Sequence, residues 1–106
     1  MKKSELLSQI ESLIKQLVVK YAPEKVILFG SAVREGEQEV NDIDLFIIKD
    51  AVPHLGAERI RQLYRLMDIN LPVDYLVYRP EEVAKRLALG DPFIAYIFKE
   101  GKVLYG

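Results

Sequence analysis

Apolar residues return at Leu6, Leu7, Ile10, Leu13, Ile14, Leu17 and Val18, a spacing that predicts an amphipathic helix. Ser4 is a candidate N-cap, and Ala22-Pro23 is expected to end the helix. The pattern then changes. Val26-Ile27-Leu28-Phe29 is a short unbroken apolar run, as expected of a strand covered on both faces. Gly30-Ser31 turns the chain, and residues 35 to 41 are mostly polar, with Gly36 among them, so they read as a loop. Ile43 to Ile48 predicts a second buried strand and Val73 to Tyr78 a third. Between them Ala57, Ile60, Leu63, Tyr64 and Met67 mark a second long helix.

Two proline-led starts follow. Pro80 opens a helix with Val83 and Leu87 facing inward and Gly90 as its stop. Asp91-Pro92 opens another through Phe93 to Lys99, ended by Gly101. Val103-Leu104-Tyr105 can form a short edge strand. Helices alternating with short buried strands predict an α/β (α+β) fold in which helices pack on a small mixed sheet. Without repeats or a linker, residues 1–106 read as a single domain. The segment 92 to 98 is apolar almost all round, which predicts burial or an interface.

Composition narrows the function classes. Half the residues are hydrophobic, so a packed core is expected. The formal net charge of −1 supplies no electrostatic case for direct nucleic-acid or membrane binding. Lack of cysteine excludes disulfides, thiol catalysis and Cys-based metal sites. The start Met1-Lys2-Lys3-Ser4-Glu5 leads into the amphipathic helix rather than into a signal-peptide apolar block. No apolar run approaches the ~20 residues that span a bilayer. These features predict a cytoplasmic protein. Arg59, Arg61 and Arg65 are interleaved with Glu58 and Asp68 and read as a solvated helix face. His54 is the only histidine and lies in a connecting loop, with no nucleophile beside it to make a triad.

The costly residues are carboxylates. Asp42 and Asp44 flank Ile43 at the start of an apolar strand. Strand residues i and i+2 share a face, so both project the same way and repel. Hard oxygens placed together suit Mg²⁺ or Mn²⁺, which would offset the repulsion. A solvated strand end or turn is the other reading of so short a pattern. Asp74 stands in the otherwise apolar third strand. If that strand lies beside the second, Asp74 completes a three-carboxylate cluster, suited to two metal ions and displacement at phosphorus. Gly30 lets backbone approach a phosphate, and Ser31 is expected to open a short helix whose amides favour an anion.

In this context "FGSAVREG…NDIDLFII" resembles the signature of the DNA polymerase beta-like nucleotidyltransferase superfamily, most closely its minimal nucleotidyltransferase group. Those proteins are often encoded beside a helical HEPN-domain partner. Gly30, Ser31, Arg34, Asp42, Asp44, Leu45 and Asp74 match the pattern, while Glu35 stands where glycine is frequent and Asn41 where serine is usual. The ending "EGKVLYG" is also similar. The resemblance implies a polymerase beta-like palm fold. It implies Asp42, Asp44 and Asp74 as catalytic and metal-holding residues, with Gly30, Ser31 and Arg34 on the phosphates. It implies Mg²⁺, as two ions with Mn²⁺ as a substitute, and transfer of NMP, foremost AMP from ATP, to a hydroxyl. A HEPN-type ribonuclease toxin, or a second copy of the chain, would be the partner, with this chain as antitoxin. Two other readings remain: a non-catalytic module that occludes its partner, and a different D-x-D enzyme such as a glycosyltransferase, which the preceding Gly-Ser disfavours.

Overall fold

The computed structural model describes residues 1–36 and 39–106. Part of the expected loop at 35 to 41, namely residues 37 and 38, lies outside the described residues. In chain order the elements are α1 (Lys3–Tyr21), β1 (Lys25–Phe29), a 3-10 turn (Gly30–Ala32), β2 (Ile43–Ile48), α2 (Gly56–Leu66), β3 (Val73–Tyr78), α3 (Pro80–Ala88), α4 (Pro92–Glu100) and β4 (Lys102–Tyr105).

The strands form one mixed sheet in the order β3-β2-β1-β4. β1 is antiparallel to both β2 and β4, whereas β2 and β3 run parallel. Period-2 alternation sends the apolar side chains of these strands to opposite faces. On one face Val26, Leu28, Ile43, Leu45, Ile47, Val73, Tyr75 and Val77 pack beneath α1 and α2. The other face carries Ile27, Phe29, Phe46 and Ile48, covered by Val83 of α3 and Ile94 and Ile97 of α4. Both faces are therefore buried at the central strands β1 and β2, which is why those two are apolar at consecutive positions.

Helix α1 buries Leu6, Ile10, Leu13, Leu17 and Tyr21, while Leu7 of the expected stripe is exposed. The helix begins earlier than Ser4, with Lys2 at the N-cap. It ends at Ala22, whose left-handed φ of 52° lets its N–H reach Val18 O at 3.1 Å. Leu87 does not face inward; it is exposed, and Val83 alone of α3 is buried. The proline starts are as expected. The Glu82 carboxylate accepts the Arg79 N–H at 2.7 Å to open α3. Asp91 Oδ1 accepts the N–H groups of Phe93 and Ile94 at 2.9 and 3.2 Å to open α4. These bonds satisfy amides that have no intrahelical partner. At Gly101 a Cβ would collide with the Ile97 carbonyl and with Ile27, so glycine is what lets the chain pass from α4 into the edge strand β4.

The solvated-face reading of α2 holds for Arg61 and Arg65, which are exposed, and fails for Arg59, which is only 3% exposed. Its guanidinium donates to Pro53 O, His54 O, Val77 O and both oxygens of Glu82. Arg59 and Leu63 are the buried residues of α2, while Ala57 and Tyr64 are exposed. A buried guanidinium requires partners for its donors, and here most are backbone carbonyls. One of them, Val77 O, belongs to β3, an edge strand of the sheet.

Candidate functional site

β1 ends at Phe29 in extended backbone, and Gly30 then takes a φ of +78°. L-residues disfavour that region, and glycine occupies it freely. The turn brings the chain back over β2. A Cβ at Gly30 would collide with Asp44 Oδ2. Glycine is thus required at this position twice, by dihedral angle and by its closeness to a carboxylate. Ser31 follows in a single 3-10 turn, closed by the Val33 N–H on Gly30 O at 3.2 Å. The expected short helix with an anion-binding N-terminus is reduced to that turn.

Asp44 is paired in register with Phe29 on one side and Asp74 on the other. Phe29, Asp44 and Asp74 therefore form a row across three strands, with neighbours about 4.8 Å apart along the hydrogen-bonding direction. Alternation places the row on the α3/α4 face, since Phe29 shares that face with Phe46 and Ile48. The helices leave this end of the face open, with Asp44 half-buried and Asp74 exposed. Asp42 lies just before β2 and is also exposed.

The electrostatics match this placement. Burial raises the Asp44 pKa above the ordinary carboxylate value; the charges of Asp74 and then Asp42 raise it further, and Arg34 opposes them. Three of the six residues singled out by sequence (Arg34, Asp42 and Asp74) thus act on a fourth, Asp44, and a fifth, Gly30, lies against it. Ser31 is adjacent in the chain. Arg34 is exposed, and its carbonyl accepts the Lys3 ammonium at 2.8 Å. Among the described residues, however, no group of three or more His, Cys, Asp or Glu side chains is arranged to hold a metal ion. The three aspartates are electrostatic neighbours and are not a closed cage.

Two aromatic residues next to the row were not singled out from sequence as site residues. Phe93 of α4 meets Phe29 edge-on, with ring centroids 5.9 Å apart. Tyr64 donates to Val73 O at 2.7 Å, immediately before Asp74, and its pKa is raised by burial and then by the Asp74 charge. The first contact joins distant parts of the chain and the second joins α2 to β3, so the spacing within a single element signals neither. A separate cleft of about 590 Å³ lies between α2 and α3, lined by Arg59, Ile60, Leu76, Tyr78, Lys85 and Leu89 among others; the three aspartates do not line it. No helix among the described residues is long and apolar enough to cross a membrane.

A family model described as polymerase beta, nucleotidyltransferase, matches residues 11–106. No match was found among curated proteins or among solved structures. The match extends from within α1 to the end of β4, so it covers the mixed sheet and its helices as well as the Gly-Ser and D-x-D segments. By that extent the chain belongs to the polymerase beta nucleotidyltransferase family, and its chemistry at the general level is nucleotidyl transfer.

Proposed function

We propose that the protein transfers an NMP group, foremost AMP from ATP, to a hydroxyl on a partner protein, using a divalent metal held at the aspartate row. The observation that carries this reading is the register pairing of Asp44 with Asp74 beneath a glycine that only a bare Cα can occupy. Juxtaposed carboxylates repel, and a cation is the simplest compensation. The donor chemistry fits Mg²⁺ or Mn²⁺: hard carboxylate oxygens on adjacent strands, open to solvent on one side. Asp42, Asp44 and Asp74 would hold the metal. When bound, it would neutralise triphosphate charge and stabilise the departing pyrophosphate.

The remaining chemistry falls to the chain. Gly30 allows backbone to approach phosphate, Ser31 offers a hydroxyl donor, and Arg34 adds positive charge beside Asp44. The acceptor oxygen attacks the α-phosphorus, the bond to the β-phosphate bridging oxygen breaks, and pyrophosphate leaves. The exposed Asp74 carboxylate takes the acceptor proton. Most of the acceleration comes from positioning and charge stabilisation.

The partner we propose is a helical HEPN-type ribonuclease, silenced by adenylylation, with this chain as antitoxin. Resemblance to minimal nucleotidyltransferases supports it. A second reading, occlusion without transfer, is favoured by the exposed rings of α4: Phe93, Tyr96 and Phe98. Thermal unfolding separates the readings at the site. Mg²⁺ with ATP should raise the melting temperature more than ATP with chelator, by mass action on the native state. Equal shifts would sink the metal-bridged site. Labelled transfer from each NTP to the candidate partner then tests catalysis, and binding with no label transferred favours occlusion.

A further inference from the structure

The row of Phe29, Asp44 and Asp74 has an aromatic neighbour at its β1 end. Phe93 packs edge-on against Phe29 at an interplanar angle of 80°, yet it remains 46% exposed. A single exposed phenylalanine is unremarkable by itself. Its position is the informative part, because Phe29 is the register partner of Asp44. The ring therefore packs on the residue that stands beside Asp44 in the row, at the edge of the carboxylate site.

The ring is also held in place. Asp91 caps the N–H groups of Phe93 and Ile94, and Pro92 fixes the first helical φ. Ile94 and Ile97 anchor α4 in the core without any exposure. An aromatic side chain with few free torsions on a fixed helix start loses little entropy when it binds a ligand.

We propose that Phe93 is the stacking platform for the nucleobase of the nucleotide at the aspartate row, an inference that rests on the nucleotidyltransferase reading above. Stacking reads ring area rather than hydrogen-bonding edges, so the site accepts purine nucleoside triphosphates over pyrimidine ones and separates adenine from guanine weakly. Phe93 binds and positions; the phosphates remain with Gly30, Ser31 and Arg34.

The test is calorimetric titration of the full chain, in Mg²⁺, with ATP, CTP and inorganic tripolyphosphate. Wild type should bind ATP more tightly than CTP, and both more tightly than tripolyphosphate. Phe93→Leu keeps apolar packing on Phe29 and should weaken ATP by about 10- to 100-fold, the worth of one stacked base, with tripolyphosphate unchanged. Phe93→Trp should preserve ATP affinity. The protein has no tryptophan, so the introduced indole reports alone. ATP should quench its fluorescence and tripolyphosphate should not. Unchanged ATP affinity in Phe93→Leu, or equal losses for ATP and tripolyphosphate, would overturn the platform. If Phe93→Leu fails to fold, the indole measurement decides, and equal quenching by both ligands overturns it. Wild type that binds tripolyphosphate as tightly as ATP refutes this inference alone. Wild type that binds neither refutes the nucleotidyltransferase reading with it.

Discussion

Gly30→Ala tests the link between backbone and carboxylate most directly. The new Cβ must sit at a φ of +78° and collides with Asp44 Oδ2. The left-handed conformation costs an L-residue about 1–2 kcal/mol. Pushing Asp44 off its rotamer adds about 0.5–1.5 kcal/mol. A total near 2.5 kcal/mol is a large share of the stability of a small domain. At an unfolding entropy of about 0.2 kcal/mol/K for a chain of this length, the melting temperature should fall by roughly 10 °C. The two contributions are separable. In an Asp44→Ala background the collision disappears and the backbone cost remains, so Gly30→Ala should cost about 1–2 kcal/mol there. Chemical denaturation of the four proteins of this cycle gives the coupling, expected near 1 kcal/mol in the direction of relief. Transfer activity should fall about 100-fold in Gly30→Ala alone, the scale of a displacement of roughly 1 Å at a reacting centre. A fully stable Gly30→Ala, or the same loss in both backgrounds, would refute the argument that the glycine exists to admit Asp44.

Burial and then the charges of Asp74 and Asp42 raise the Asp44 pKa. Its ionisation therefore costs stability above that raised value and nothing below the ordinary carboxylate range. Asp44→Asn in metal-free buffer should be as stable as wild type at neutral pH, or more stable by up to about 1 kcal/mol. The difference should vanish as pH falls in urea titrations, while transfer is nearly abolished. Glu82 behaves oppositely, because the hydrogen bond from Arg59 holds its pKa below the ordinary 4.5. Its stabilisation is present above 4.5 and lost as pH falls through the depressed value, so Glu82→Gln should be destabilised at pH 7 and match wild type in acid. Arg59→Met should lower stability by about 3 kcal/mol, since it leaves Glu82 and several carbonyls without their donor, measurable as a shifted denaturation midpoint. Tyr96→Glu, on the exposed side of α4, should abolish association with a helical partner in size-exclusion chromatography without changing the melting temperature.

Much of the architecture is local and was legible in the chain. Four-residue apolar runs, proline-led starts and the heptad-like stripe of α1 follow from the geometry of single elements, whereas Asp42 lies just before β2, where strand alternation does not fix its direction. The parallel placement of β3 beside β2 is different. It brings Asp74 level with Asp44 across a crossover through α2, and only packing of both faces selects it. Arg59 shows the limit from the other side. An arginine among charged residues reads as solvated, because its partners are carbonyls of a preceding loop and of β3, plus Glu82, 23 positions away. Leu87 was expected inward by period and lies exposed, because a helix only two or three turns long touches the sheet over very few positions. Phe93, read from sequence only as part of an apolar segment, gained a place beside the site when α4 brought it against Phe29. The sequence determined which residues carry charge, turn and apolar surface. The tertiary structure decided which of them meet, because register across strands is a property of the whole packed sheet and of no segment within it.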